Sequence, residues 1–219
     1  MNRPIFITGI GTGVGKTLAA AVITEALQAN YWKPIQAGLD EGTDTETVRS
    51  LISNTNSVIF PELYRLKTPA SPHIAARMDT ISIDVQAIKE KTKQLLLQSG
   101  QKPLLMEGAG GLLVPIADDW KIADLVKLLD AKLILVSRNY LGSINHSLLT
   151  AACCKANNLS VAGWIFTDEF GNYQDEIVEW SGYPSLGSIP KLGILDKATI
   201  LHQANKLHDS LTGHLLLQP

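Results

Sequence analysis

Phe6 to Thr17 reads FITGIGTGVGKT: an apolar segment ending at Thr8, a glycine-rich turn, and Gly15-Lys16-Thr17 where a helical pattern opens. This is the pattern of a phosphate-binding loop. Glycines let successive backbone N–H groups curl around phosphate oxygens without Cβ clashes, and the helix start adds the positive end of its dipole. Lys16 is then placed to reach the β and γ phosphates of a nucleotide, and the Thr17 hydroxyl to ligate Mg²⁺. The usual spacing puts four residues between the first glycine and Gly15; here Ile10 takes that first position and Gly9 lies one residue earlier. The competing reading is a plain strand-to-helix turn, which would not need Gly-Lys-Thr at the helix start.

Outward from the loop, short apolar runs alternate with longer amphipathic stretches, the pattern of a parallel sheet flanked by helices. Strands are expected at Pro4–Thr8, Tyr31–Ile35, Leu104–Glu107, Lys132–Ser137, Ser160–Phe166 and Ser185–Ile189. Several are too apolar to have one wet face, as in strands covered on both sides. Helices are expected at Lys16–Ala29, Asp44–Ser53, Asp84–Gln98, Trp120–Leu129, Ser143–Asn157, Tyr173–Trp180 and Lys197–Leu211. Asp119 and Ser143 each offer a side-chain oxygen to cap the helix that follows. Residues 54–77 are the least regular and read as loop and short strand. The expected fold class is α/β, a three-layer P-loop NTPase arrangement with a mostly parallel sheet flanked by helices on both faces, in a single domain over residues 1–219.

Nineteen Lys and Arg against 21 Asp and Glu give a formal charge of -2 and a pI near 6.2. No basic field is left to hold a phosphate backbone by counterion release, so nucleic-acid binding is not expected. The 45% hydrophobic and 18% charged content is that of a globular chain without a membrane span. The start, MNRPIFITG, has no basic segment leading into a long apolar run, and Cys153 and Cys154 are adjacent, a spacing that rarely bridges. A reducing cytoplasm is the expected location.

Mg²⁺ takes oxygen ligands, commonly one or two carboxylates besides the phosphates, so acids at strand ends are candidates. Glu107 ends PLLME and is followed by Gly108, Ala109, Gly110 and Gly111, a backbone able to approach an anion. Asp44 lies past the second strand, where its competing reading is a plain helix cap. Lys33, in YWKPIQAG, is unusual within a short apolar strand; its charge is costly there unless it faces an anion, which makes it a second phosphate-facing cation beside Lys16. The helix start at Gly142, Ser143, Ile144 and Asn145 presents free amides that a carboxylate can accept from, though every helix start does so. His73 and His146 have no partner acid visible in the sequence, and the two cysteines read as core.

Together these residues resemble the dethiobiotin synthetase family, through TGIGTGVGKT at 8–17, KPIQAG at 33–38, SPHIAA at 71–76, MEGAGGLLVP at 106–115, LGSINH at 141–146, GWIF at 163–166 and LGSIP at 186–190. The resemblance implies an ATP- and Mg²⁺-dependent ligase that joins CO₂ to 7,8-diaminononanoate and closes a cyclic urea, through a carbamate and its mixed anhydride with phosphate. It implies that Lys33, Lys16 and Thr12 act on the reacting groups, and that Thr17, Asp44 and Glu107 hold the metal. The nucleotide would be contacted by Gly13, Val14, Gly15, Lys16, Thr17 and Leu18, by Gly108, Ala109 and Gly110, and, around its base, by Thr167, Pro190 and Leu192. Ala37 and Gly142 to Asn145 would meet the diamine, the latter across a two-fold homodimer interface.

The chain departs from the family's usual pattern at Ala37, where a hydroxyl is common, at Thr167, where Asn is common, and at Gly13, where some members carry an acid. A rival reading within P-loop proteins is a switch ATPase of the partition type, but that class carries a lysine where Gly11 stands. An amidotransferase-linked ligase would need a glutaminase region, and a degenerate regulatory module would not keep Lys16, Thr17, Asp44 and Glu107.

Overall fold

A computed structural model describes residues 3–40, 42–168 and 173–216. The strands are β1 (Ile5–Gly9), β2 (Asn30–Trp32), β3 (Ile35–Ala37), β4 (Ile59–Phe60), β5 (Tyr64–Leu66), β6 (Leu104–Gly111), β7 (Pro115–Ala117), β8 (Trp120–Lys121), β9 (Lys132–Arg138), β10 (Val161–Thr167) and β11 (Ser185–Ile189). The helices are α1 (Lys16–Leu27), α2 (Asp44–Leu51), α3 (Pro72–Met78), α4 (Val85–Ser99), α5 (Ile122–Leu128), α6 (Ser143–Ala156), α7 (Gln174–Ser181) and α8 (Lys197–Leu215). Seven strands form one parallel sheet in the order β11-β10-β9-β1-β6-β2-β4. This is the α/β P-loop NTPase arrangement expected from the sequence.

Alternation along each central strand divides the core into two layers. Ile5 and Ile7 of β1, with Leu105, Ile134, Val136 and Ile165 of its neighbours, face α1 and α8. Phe6, Met106, Leu133, Leu135, Trp164 and Phe166 face the other way, onto α4 to α7. Both sets are almost wholly buried, which is why these strands read as unbroken apolar runs. Helix α1 carries Ala19, Ala20 and Ala21 at zero exposure, and such small residues let it lie close to the sheet. No helix among the described residues is long and apolar enough to cross a membrane.

Four local expectations are corrected. The run Tyr31–Ile35 is two strands, because Pro34 lacks an N–H for the ladder; its carbonyl instead accepts from Leu63 and Tyr64, turning β3 away to pair with β5. Lys33 therefore stands at a break between sheets. Trp120 and Lys121 belong to an antiparallel hairpin with β7, so α5 starts at Ile122 and Asp119 does not cap it; Asp124 instead accepts from the Lys121 N–H at 2.9 Å. Ser143 does not cap α6 either: Gly142, left-handed at φ 102, precedes the helix, and the Ser143 hydroxyl is buried without a partner among the described residues. Residues 72–77, within the stretch expected as loop and short strand, form α3 together with Met78, with Pro72 in its first turn, where the missing N–H costs nothing.

Glu25 ties α1 to the chain that follows α2. Its carboxylate accepts from the Ser53 N–H and hydroxyl at 2.8 and 2.6 Å and from the Asn54 N–H and side-chain amide at 3.1 and 3.0 Å. Burial pushes this carboxyl up, but the four donors outweigh it and hold it below the ordinary glutamate value. A depressed carboxylate contributes stability that is complete above its unfolded value and is lost as pH falls through the folded one. Glu25→Gln should cost about 1–3 kcal/mol near neutrality, with the cost shrinking as pH is lowered through the carboxylate range. Denaturant titrations at pH 7 and in acid check this; an equal cost at both would contradict it.

Candidate active site

The site is built where the carboxyl ends of β1, β2 and β6 meet, as expected for an open parallel sheet. Register places Ile7 of β1 beside Glu107 of β6, so the glutamate emerges next to the glycine-rich turn that follows β1. That turn passes into α1 through Gly15, which is left-handed at φ 86, and Lys16 and Thr17 open the helix. Helix α2 is capped by Thr43, whose side chain accepts from the Glu46 N–H while Glu46 returns a bond to the Thr43 N–H. With Thr43 in that role, Asp44 is not the cap and its carboxylate is left to the site.

Four of these groups form one network. The Thr17 hydroxyl lies 2.5 Å from Asp44 Oδ1 and 3.0 Å from Glu107 Oε1, and its single hydrogen serves one of them at a time. Lys33 Nζ donates to Asp44 Oδ2 and, at 3.2 Å, to Glu107 Oε1. Burial alone would lower the Lys33 pKa, but Glu107 and Asp44 outweigh it and raise it above the ordinary lysine value. Burial also pushes Asp44 up, and Lys33 and Thr17 reverse this, so its carboxyl lies below the usual range. Lys16 is held lower than an ordinary lysine, chiefly by burial; the Lys33 charge adds to this while Glu107 and Asp44 oppose it. Lys16 Nζ donates to the Gly11 carbonyl at 2.9 Å.

A cavity of about 660 Å³ opens over this network. Of the residues expected to act, Thr12, Gly13, Gly15, Lys16, Thr17, Lys33, Ala37, Asp44, Glu107, Ala109 and Gly110 line it together. Gln36, Pro69, Ala70, Ser71, Pro72 and Val114 also line it and were not anticipated, although Gln36 lies in the KPIQAG block, Ser71 and Pro72 in SPHIAA and Val114 in MEGAGGLLVP; Pro69 and Ala70 fall outside those blocks. Gln36 Oε1 accepts from the Asp44 N–H at 3.3 Å, which helps to fix the start of α2.

The remaining expected residues lie around the loop rather than in that cavity. Val14 is buried, Leu18 packs on the core, and Gly108 has no room for a Cβ, which would stand 2.7 Å from the Phe6 ring. Thr167 is buried at the end of β10, and its hydroxyl donates to the Val14 carbonyl at 2.8 Å. Pro190 lines a second cavity of about 470 Å³ with Arg138 and Asp168, which pair at 2.6 Å, while Leu192 packs against the core. Arg138 also donates to the Gly13 carbonyl at 3.5 Å. Gly142 precedes α6, and Ser143, Ile144 and Asn145 begin it; His146, Leu149 and Cys153 of the same helix share a third, apolar cavity with Gly9 to Thr12.

His73 Nδ1 lies 3.2 Å from the Pro115 carbonyl and 3.3 Å from the Ser71 hydroxyl, and His146 Nδ1 2.7 Å from the Tyr140 hydroxyl; neither meets an acid in these contacts. Burial pushes the Cys154 thiol up to about 12 and raises Cys153 less, so neither is a ready thiolate. No group of three or more His, Cys, Asp or Glu able to hold a metal occurs among the described residues. Thr17, Asp44 and Glu107 offer only oxygen, and too few ligands for an all-protein cage. That donor set fits Mg²⁺ shared with phosphates.

The family profile described as AAA domain matches residues 3–199. ATP-dependent dethiobiotin synthetase BioD of Cytophaga hutchinsonii is 46% identical over 185 residues, covering 84% of this chain and 86% of that protein. The chain belongs to the dethiobiotin synthetase family. The enzymes of the same name from Christiangramia forsetii, 47% identical with 77% of this chain and 78% of theirs covered, and from Agrobacterium fabrum, 43% identical with 81% of each covered, agree. The chain is accordingly an enzyme of the ligase class. Among solved structures, the septum site-determining protein MinD of Pyrococcus horikoshii complexed with Mg-ADP matches with a TM-score of 0.57 at 15% identity, covering 98% of this chain and 93% of that one. A ParA family ATPase from Chlorobium tepidum matches at 0.56 and 14%, covering 97% and 93%. Both likenesses concern the fold alone.

A Cβ at Gly15 would stand 3.0 Å from the Thr167 methyl, on a backbone that L residues rarely adopt. Gly15→Ala should therefore lower stability by about 1–2 kcal/mol, and Thr167→Val, which keeps the shape but loses the bond to Val14, by about 1 kcal/mol. Both should weaken ADP binding, as read by thermal melts and calorimetric titration. Unchanged ADP affinity in both variants would mean that loop geometry does not depend on this contact.

Proposed function

We propose that the chain is an ATP- and Mg²⁺-dependent dethiobiotin synthetase, joining CO₂ to 7,8-diaminononanoate and closing the cyclic urea with release of ADP and phosphate. Family membership supports this, and the observation that carries it is the pair of buried lysines, Lys16 and Lys33, beside Thr17, Asp44 and Glu107 in one cavity. The chemistry needs no enzyme nucleophile. One substrate amine takes up CO₂ as a carbamate, a carbamate oxygen takes the γ-phosphoryl group, and the second amine closes the ring as phosphate leaves.

In this reading the protein contributes position and charge. The Gly13 to Thr17 backbone, with Val14 and Leu18 behind it, cradles the phosphates, and Lys16 turns from the Gly11 carbonyl to the β and γ oxygens. Lys33 supplies fixed positive charge where the carbamate and the transferring phosphoryl group carry negative charge, and Thr12 donates to the same oxygens. Thr17, Asp44 and Glu107 would hold Mg²⁺, which neutralises phosphate charge when bound. Gly108, Ala109 and Gly110 border the phosphates, and the base lies towards Thr167, Pro190 and Leu192. Ala37 contacts the diamine, whose carboxylate is received at Gly142 to Asn145 from a second copy of the chain. Exposed Leu113, Leu141 and Leu149 on that side support a homodimer. One ligase domain working in the cytoplasm completes the reading. The switch-ATPase alternative is not favoured, since Gly11 holds the position of its signature lysine.

Phosphate release from Mg²⁺-ATP should require both bicarbonate and the diamine, with a cyclic urea among the products; release indifferent to the diamine would overturn the reading. Lys33→Ala should keep nucleotide affinity within a few-fold and lose about 10²–10³ in turnover. Turnover near that of the unaltered enzyme would remove Lys33 from the chemistry.

A further inference from the structure

Tyr31 is fully buried in β2, and its hydroxyl donates to Glu107 Oε2 at 2.9 Å. Sheet register explains the contact: Tyr31 stands opposite Leu105 of β6, and Glu107, two residues on, leaves the same face. Tyr31 and Leu105 share the core layer under α1, and Thr17 opens that helix. The phenol thus reaches Glu107 from beneath while Thr17 and Lys33 meet its other oxygen, Oε1, at 3.0 and 3.2 Å.

We propose that Tyr31 is a positioning residue, which turns the Glu107 carboxylate so that Oε1 alone faces the metal and substrate side. The proposal rests on the reading of Glu107 as a metal ligand. Packing does not require the hydroxyl, since Phe fills nearly the same volume without the cost of desolvating an O–H. The hydroxyl has a use at Oε2: a carboxylate free to rotate can offer a small hard cation either one oxygen or two, and a fixed donor on Oε2 removes that choice. Outer partners of this kind set ligand orientation and tune affinity. No motif in the sequence points to this tyrosine, because it acts through a residue 76 positions away.

The test uses the full-length protein with ADP and Mn²⁺, followed by electron paramagnetic resonance of the free ion. Tyr31→Phe should weaken Mn²⁺ binding about ten-fold or more, while ADP affinity measured in EDTA stays within about two-fold of the unaltered protein. Glu107→Gln should weaken Mn²⁺ binding at least as much, and Tyr31→Phe should add nothing further in its presence, since it acts through the missing carboxylate. Thermal melts of all three variants report the structural cost separately. If Glu107→Gln loses Mn²⁺ affinity and Tyr31→Phe does not, the positioning role is overturned while Glu107 remains a ligand. If neither variant changes Mn²⁺ binding, the assignment of Glu107 to the metal fails and the proposal with it. Additive losses in the double variant also overturn it.

Discussion

A lysine ammonium that is 5% exposed dictates much of what surrounds it. Lys33 can be kept charged there only if anions replace the water it has lost, and two carboxylates do so from different elements. Glu107 arrives because β6 lies between β1 and β2, and Asp44 because Thr43 takes the cap of α2. Pro34 ends β2 just after the lysine and keeps it at the mouth of the sheet. Removing either carboxylate would leave the buried ammonium with one counter-charge instead of two, so the site and the local fold are held by the same contacts. The directions of the pKa shifts give the conditions under which the pairing holds. Asp44, depressed, keeps its contribution until pH falls through its folded value; Lys33, raised, keeps its own until pH rises through a value above the ordinary lysine one. The Lys33–Asp44 pair is intact across the neutral range.

The phosphate loop is held from three directions by the chain itself. Lys16 spans it to the Gly11 carbonyl, Thr167 fixes it at Val14 from β10, and Arg138 reaches Gly13 from β9. Each contact takes a backbone carbonyl as its acceptor and so leaves backbone N–H groups free to face an anion. Such prior ordering reduces the conformational entropy that the loop must lose when a nucleotide binds. It also gives Thr167 a use that does not depend on the purine edge: where an asparagine would offer an amide, the shorter hydroxyl is already committed to the loop.

Much of this was legible in the sequence because it depends on local order. β1, the loop and the start of α1 are consecutive, and Glu107 is marked by the glycines after it. The apolar strands announce burial on both faces. What escaped depends on contacts distant in sequence or on choices between neighbours. Pro34 restricts the chain without saying whether it bends a strand or ends it; the carbonyl contacts with Leu63 and Tyr64 decide. Thr43 and Asp44 are both good caps, and Glu46 settles the matter for Thr43 by returning a hydrogen bond three residues on. Asp119 reads as a helix cap, but the pairing of β7 with β8 places it in the turn between those strands. Ser143 had the right side chain for a cap, but the left-handed Gly142 before it sends the hydroxyl into the core.

The likeness to MinD and ParA proteins shows how little of the chemistry the fold alone determines. At 14 to 15% identity and TM-scores of 0.56 to 0.57 the overall fold persists, since burying strands between helices constrains the chain far more loosely than the chemistry of a site does. The lysine that marks the switch-ATPase loop is absent here, with Gly11 in its place, and a second buried cation beside Lys16 comes from Lys33, at the break between β2 and β3. A lysine fixed between two carboxylates at a strand end is anchored to the sheet, and its charge is aimed at one place in the cavity. In the function proposed above, that anchorage suits the charge to stabilising small reacting groups beside the phosphates, because a fixed charge needs no reorganisation as negative charge develops next to it.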